Sequence, residues 1–191
     1  MAPEHAFPAA LDDIIAAYQA VAAHKGGVII GGESAGGCLA FALMAEISKL
    51  GLPKPLGCFT FSALTDLTFS GKSITENAAS EVFLPADQVD QLTDLYLQGA
   101  DPNDPRVSPL FAEFPECCPV WMSVGTTEIL LDDSRRMAEK LRQGGTDVTL
   151  EIKKNHFHAW PFVHKFLPEA RRTLSDVGDW INQLSECSTD S

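Results

Sequence analysis

The chain has 191 residues, a formal net charge of −12 and 45% hydrophobic residues. That is enough apolar material for one packed domain, and the wrong sign of charge for a polyphosphate partner. No apolar run approaches the roughly 18–20 residues of a membrane span, and Met1-Ala2-Pro3-Glu4-His5 has neither the basic nor the apolar region of a secretory signal.

In chain order, Ala9 to His24 carries helical apolar spacing through Leu11, Ile14, Ile15, Tyr18 and Val21. Val28-Ile29-Ile30, bounded by glycines, reads as a buried strand, and Cys38 to Leu50, apolar nearly all round, reads as a buried helix stopped by Gly51. Leu56 to Ser62 is the next strand. Ser70 to Phe111 is richer in polar and turn residues and holds one amphipathic helix, about Pro85 to Leu97. Val120 to Val124 predicts a strand, Asp132 to Arg142 a helix ending at Gly144, Val148 to Lys153 a strand and Glu169 to Leu184 a last helix, with a frayed polar tail from Ser185 to Ser191. Strands alternating with helices imply a parallel α/β sheet.

The cysteines are Cys38, Cys58, Cys117, Cys118 and Cys187. An odd, scattered set without a C-x-x-C pair argues against a disulfide framework and a structural zinc site; free thiols in a reducing cytoplasm are expected.

Gly32-Glu33-Ser34-Ala35-Gly36 matches G-x-S-x-G, between an apolar strand and a small-residue helix. Such a turn strains the serine and lifts its Oγ above the sheet, and the following N–H, here Ala35, is placed to stabilise an oxyanion. Gly32 and Gly36 are expected to let strand and helix approach closely. The alternative is a glycine-rich turn with an incidental serine. In an α/β-hydrolase the acid follows a late strand and the histidine the last one. Glu128, after Val120–Val124, takes the acid's place; Asp132 and Asp133 compete, though acids in a helix's first turn also suit its dipole. His156 and His158 both follow the final strand, and position alone does not separate them.

These residues point to a family. The chain resembles the hormone-sensitive-lipase-like esterases, bacterial esterase family IV, from Ala2 to about Ile181. Ala2-Pro3-Glu4-His5 and Phe7-Pro8-Ala9-Ala10-Leu11-Asp12-Asp13 are similar to that family's APEH and FPAALDD segment. Gly32-Glu33-Ser34-Ala35-Gly36-Gly37 is similar to its GDSAGG, with Glu33 in place of Asp. Ser108-Pro109-Leu110 and Gly125 to Asp133 match further segments, and His158-Ala159-Trp160 resembles its H-x-W, which favours His158 over His156. The family's HGGG motif, which supplies most of its oxyanion hole, does not occur in these residues, and the expectation is a start at an internal methionine or a cut chain.

The resemblance implies the C-terminal part of an α/β-hydrolase fold: one domain over residues 1–191, about four parallel strands flanked by helices, and a partial helical cap over residues 70–111. It implies a cytoplasmic serine esterase acting on small short-acyl esters through Ser34, Glu128 and His158, with Ala35 in the oxyanion hole and neither metal nor organic cofactor. A weakened fragment, or a lactonase or formamidase using the same residues, is the alternative. The expected partner is a small-molecule ester, with no nucleic acid and no membrane span. An elbow strand paired on one side only, by Leu56–Ser62, predicts self-association through its open edge.

Overall fold

The apolar runs form four parallel strands, β1 (Ile29–Glu33), β2 (Gly57–Phe61), β3 (Val120–Gly125) and β4 (Val148–Lys153), bonded in that order across one sheet. The computed structural model describes residues 2–189, with side chains through residue 186. The register places Ile29 opposite Gly57, Cys58 opposite Val120, and Val120 opposite Val148.

Side chains alternate across a strand, so the sheet builds two cores. Cys58, Val120 and Met122 meet Phe41 and Met44 of α2 (Ala35–Leu50) and Met137 and Leu141 of α5 (Leu131–Gln143). Phe59, Phe61 and Trp121 join Val177 and Trp180 of α6 (Pro168–Thr189) in the other. Helix α1 (Ala9–Val21) packs on α2, and its Tyr18 hydroxyl donates to Pro53 O at 2.7 Å. Between β2 and β3 lie α3 (Ser73–Glu76), α4 (Val89–Leu97) and a 3₁₀ turn, Pro109–Phe111. Among the described residues no helix is long and apolar enough to cross a membrane.

Several boundaries differ from the sequence reading. Helix α1 stops at Val21 rather than His24, because the chain turns there through His24 N–H to Val21 O and Gly27 N–H to His24 O. Strand β1 runs on through Gly31 and Gly32 to Glu33, since pairing with β2 overrides the weak strand preference of glycine. Helix α2 begins at Ala35, directly after the elbow, and ends as expected at Gly51, φ 62°, with Leu52 N–H reaching back to Ile47 O. Helix α4 starts at Val89, four residues after Pro85. Helix α6 continues to Thr189, where a frayed tail was expected from Ser185; residues 190–191 lie outside the described residues. Cys38, Cys58, Cys117 and Cys118 are free thiols, and the Cys187 side chain is outside the described set.

The elbow glycines differ in what they do. A Cβ on Gly32 would lie 2.2 Å from Gly36 O and 2.7 Å from Gly37 N, so only glycine lets β1 and α2 pass this closely. A Cβ on Gly37 would meet the Ala63 Cβ at 2.6 Å. Gly36, expected to share the packing role, has no described atom within 4 Å of that position. Gly32→Ala is therefore expected to cost about 1–3 kcal/mol or more, because backbone must move. Gly36→Ala should instead be neutral or stabilising by up to about 1 kcal/mol, as alanine replaces glycine within α2. Urea unfolding of the two variants checks the contrast.

Candidate active site

The C-terminal ends of parallel strands gather their following loops on one edge of the sheet, where sites form in open α/β folds. Ser34 stands at the end of β1. Its N–H donates to Phe61 O at 3.0 Å, and its O accepts from Cys38 N and Leu64 N, both at 3.1 Å. These bonds hold the serine at φ 52°, ψ −117°, a conformation costing a non-glycine residue about 1–3 kcal/mol unless its surroundings enforce it. Ala35 is the first residue of α2, and its N–H is one of the four without an intrahelical acceptor.

Glu128 follows β3 and is fully buried. Oε1 accepts from Ser62 Oγ at 2.9 Å and from Gly125 N at 2.5 Å, and Oε2 lies 3.1 Å from His158 Nδ1. Ser62, just past β2 and itself at φ 51°, also accepts from Ala159 N at 3.0 Å. The loops that carry Glu128 and His158 are in direct backbone contact, since a Cβ on Gly125 would lie 2.0 Å from His156 O. Asn155 N donates to Thr126 Oγ1 at 2.8 Å, and Thr127 Oγ1 to His156 O at 2.6 Å. The segment between β2 and β3 braces the acid loop from outside: Asn77 Nδ2 donates to Glu128 O at 2.7 Å, and Ile129 N to Glu81 Oε2 at 3.2 Å.

His158 is 7% exposed. Burial alone would lower its pKa, but the Glu128 hydrogen bond and the charges of Glu128, Glu33 and Glu81 outweigh it and hold the imidazole above its ordinary value. Its Nε2 faces Glu33 Oε1 at 3.1 Å. Burial raises the Glu33 pKa, partly opposed by His158. Neither ring nitrogen of His158 is hydrogen-bonded to Ser34 Oγ; both face carboxylates.

The competing residues point elsewhere. His156 Nδ1 lies 2.8 Å from Lys154 O, and its ring meets Trp160 edge-on at 5.4 Å. Asp132 Oδ2 accepts from Ser73 N at 3.0 Å. Buried Asp133 accepts from Thr65 N at 2.7 Å and Asp66 N at 3.0 Å, and burial pushes its pKa up to about 7 against those donors. Ser62, Asn77 and Glu81 escape the sequence reading, since no local pattern marks a residue whose partner lies about fifty or more positions away. Glu33 is visible there only as a departure from Asp.

A cavity of about 250 Å³ opens beside Ser34, Ala35 and Cys38, walled by Leu64, Leu67, Leu84, Leu92 and Tyr96 among others. Its lining is mainly apolar, and much of it comes from α4 and the chain leading into it.

Residues 1–162 match a family described as having the alpha/beta hydrolase fold. The chain belongs to this family, among its hormone-sensitive-lipase-like esterases. It is 34% identical to an acetyl-hydrolase of Streptomyces hygroscopicus, an alignment covering 94% of this chain and 61% of that protein. It is 32% identical to an esterase of Acinetobacter venetianus, covering 96% and 62%. The crystal structure of EstE5 soaked with p-nitrophenyl butyrate superposes with a TM-score of 0.92 at 34% identity, over 97% of this chain and 64% of that one. An esterase of the bacterial hormone-sensitive lipase family superposes at 0.93, with 32% identity, over 97% and 63%. The chain thus spans a little under two thirds of the length of these relatives.

Within this hydrolase fold, Ser62 is the joint between the Glu128 loop and the His158 loop. Ser62→Ala leaves Ala159 N–H and one lone pair of Glu128 unmatched in a buried setting, which should cost about 1–3 kcal/mol. Denaturant unfolding measures the loss; an unchanged midpoint would mean the two loops hold together without it.

Proposed function

We propose that the chain hydrolyses small carboxylic esters through an acyl-enzyme, with Ser34 as nucleophile, His158 as general base and acid, and Glu128 as the carboxylate that orients it. The observation that carries this reading is the buried Glu128–His158 pair, 3.1 Å apart, on the sheet edge where Ser34 is held at positive φ beside an apolar cavity. The relatives, an acetyl-hydrolase and an esterase, agree with it.

Ser34 Oγ attacks the ester carbonyl carbon as its proton passes to His158 Nε2. Ala35 N–H, at the positive end of α2, stabilises the oxyanion. The tetrahedral adduct collapses, His158 protonates the departing alcohol, and water repeats the sequence on the acyl-enzyme. Glu128 fixes the tautomer by accepting from Nδ1. Residues 70–111 act as a partial cap, and the cavity beneath α4 accommodates a short acyl or alcohol group. The chemistry needs no metal or organic cofactor.

Mapping a fluorophosphonate adduct to Ser34 tests the nucleophile. Ser34→Ala should abolish labelling and p-nitrophenyl ester turnover. Glu128→Gln and His158→Ala should each lower kcat by a large factor, on the order of 10⁴ or more, while His156→Ala changes little. A dead His156→Ala with an active His158→Ala would reverse the assignment of the base.

These residues contain no HGGG segment, so the 191-residue chain assayed by itself should turn over p-nitrophenyl butyrate far more slowly than an esterase carrying that motif. The deficit should be roughly 10⁴-fold, at about 2.7–4 kcal/mol per missing donor. Matching rates would place further oxyanion donors in the chain.

Strand β1 pairs with β2 alone among the described residues, and Gly31 is exposed along it. We infer self-association through this edge. Analytical ultracentrifugation should find concentration-dependent assembly. A monomer at every concentration, with amides 29–31 strongly protected from hydrogen exchange, would refute it.

A further inference from the structure

His158 is held between two carboxylates. Nδ1 faces Glu128 Oε2 and Nε2 faces Glu33 Oε1, each at 3.1 Å. A neutral imidazole has one N–H and can donate to one of them; donating to both requires the imidazolium. In that state Nε2 has no lone pair with which to take the Ser34 proton. Glu33 and Ser34 are consecutive, the last residue of β1 and the elbow itself, so the carboxylate at this nitrogen comes from the position next to the proposed nucleophile.

The two acids are not equivalent. Glu128 is fully buried and receives hydrogen bonds from Ser62 Oγ and Gly125 N besides His158. The Glu33 side chain is 31% exposed, and His158 is its one side-chain partner among the described residues. The groups facing the imidazole are Glu128 from the loop after β3, Glu33 from β1 and Glu81 from the segment between α3 and α4; those facing Glu33 are His158 and Glu128. The charges that act on the ring are thus carboxylates.

We propose that Glu33 is a resting-state latch on the base: it occupies His158 Nε2 in competition with Ser34, and must release it before the serine can be activated. The inference rests on reading His158 as the base. Release moves the Nε2 proton to bulk water, leaves Glu33 as a carboxylate, and turns the freed lone pair to Ser34 Oγ–H. Glu33 is thus a positioning residue whose charge sets the pH at which the base becomes available. The direction follows from the geometry: an anion at Nε2 favours the protonated ring, so it suppresses activity on the acid side.

The test has two readouts. First, the imidazole of His158 is titrated by ¹H–¹⁵N NMR in a Ser34→Ala background, where no turnover occurs, with and without Glu33→Gln. Loss of the charge should lower the midpoint by roughly one pH unit, a tenfold fall in proton affinity. Glu33→Asp, one methylene shorter, should fall between. An unmoved midpoint in both folded variants overturns the latch. Second, the rate of fluorophosphonate labelling at Ser34 is followed against pH. Glu33→Gln should label several-fold faster than the unsubstituted chain below the latter's midpoint, and equally well above it. A shifted midpoint with both proteins labelled, and Glu33→Gln no faster at any pH, also overturns the latch. Labelling absent from both proteins, with the NMR shift present, defeats the esterase reading and leaves the contact standing. Labelling present with an unmoved titration does the reverse.

Discussion

A carboxylate removed entirely from water has to be matched on both oxygens, because an unmatched buried charge costs several kcal/mol. Glu128 meets that requirement with three donors from three places: Ser62 after β2, Gly125 at the end of β3, and His158 after β4. Adjacent parallel strands deliver these loops to one edge, and the buried charge ties them. Ser62 extends the tie by accepting from Ala159 N, so the His158 loop is held by both its ring and its backbone. The geometry of the proposed base is therefore a consequence of satisfying one acid.

The elbow obeys a different constraint. There the limit is space, since β1 and α2 cross so closely that a methyl group on Gly32 would overlap the Gly36 carbonyl. That closeness, with the backbone bonds to Phe61, Cys38 and Leu64, forces the positive φ of Ser34. The same strand end carries Glu33, whose Oε1 lies 3.1 Å from His158 Nε2. Two carboxylates then share one imidazole under unequal conditions. Glu128, with three donors, is held fast, whereas Glu33 is partly exposed and has His158 as its one side-chain partner among the described residues.

The cavity beside Ser34 draws its walls from well-separated parts of the chain: the start of α2, the loop after β2, α4 with its approach, and Ile129-Leu130. The long connection between β2 and β3 serves two ends. Its first part braces the acid loop through Asn77 and Glu81, and its second part roofs the cavity. An apolar roof beside a charged pair excludes water, and so strengthens each electrostatic contact there.

The sequence by itself determined the parallel sheet, the strand–turn–helix around Ser34, and the places after β3 and β4 where an acid and a histidine stand. Each of these is a local signal: apolar runs, glycines at tight passages, and polar residues at strand ends. Element ends were less legible, as in β1 running through two glycines and α6 continuing to Thr189, because pairing and packing override residue preference there. Only tertiary structure separated His158 from His156 by direct contact, turned Asp132 and Asp133 toward Ser73 and Thr65, and brought Ser62, Asn77 and Glu33 to the site. The reason is distance along the chain. Glu128 meets Ser62 across 66 positions and Ala159 meets Ser62 across 97, and partners so far apart are chosen by the order of strands in the sheet, which no short stretch of residues records.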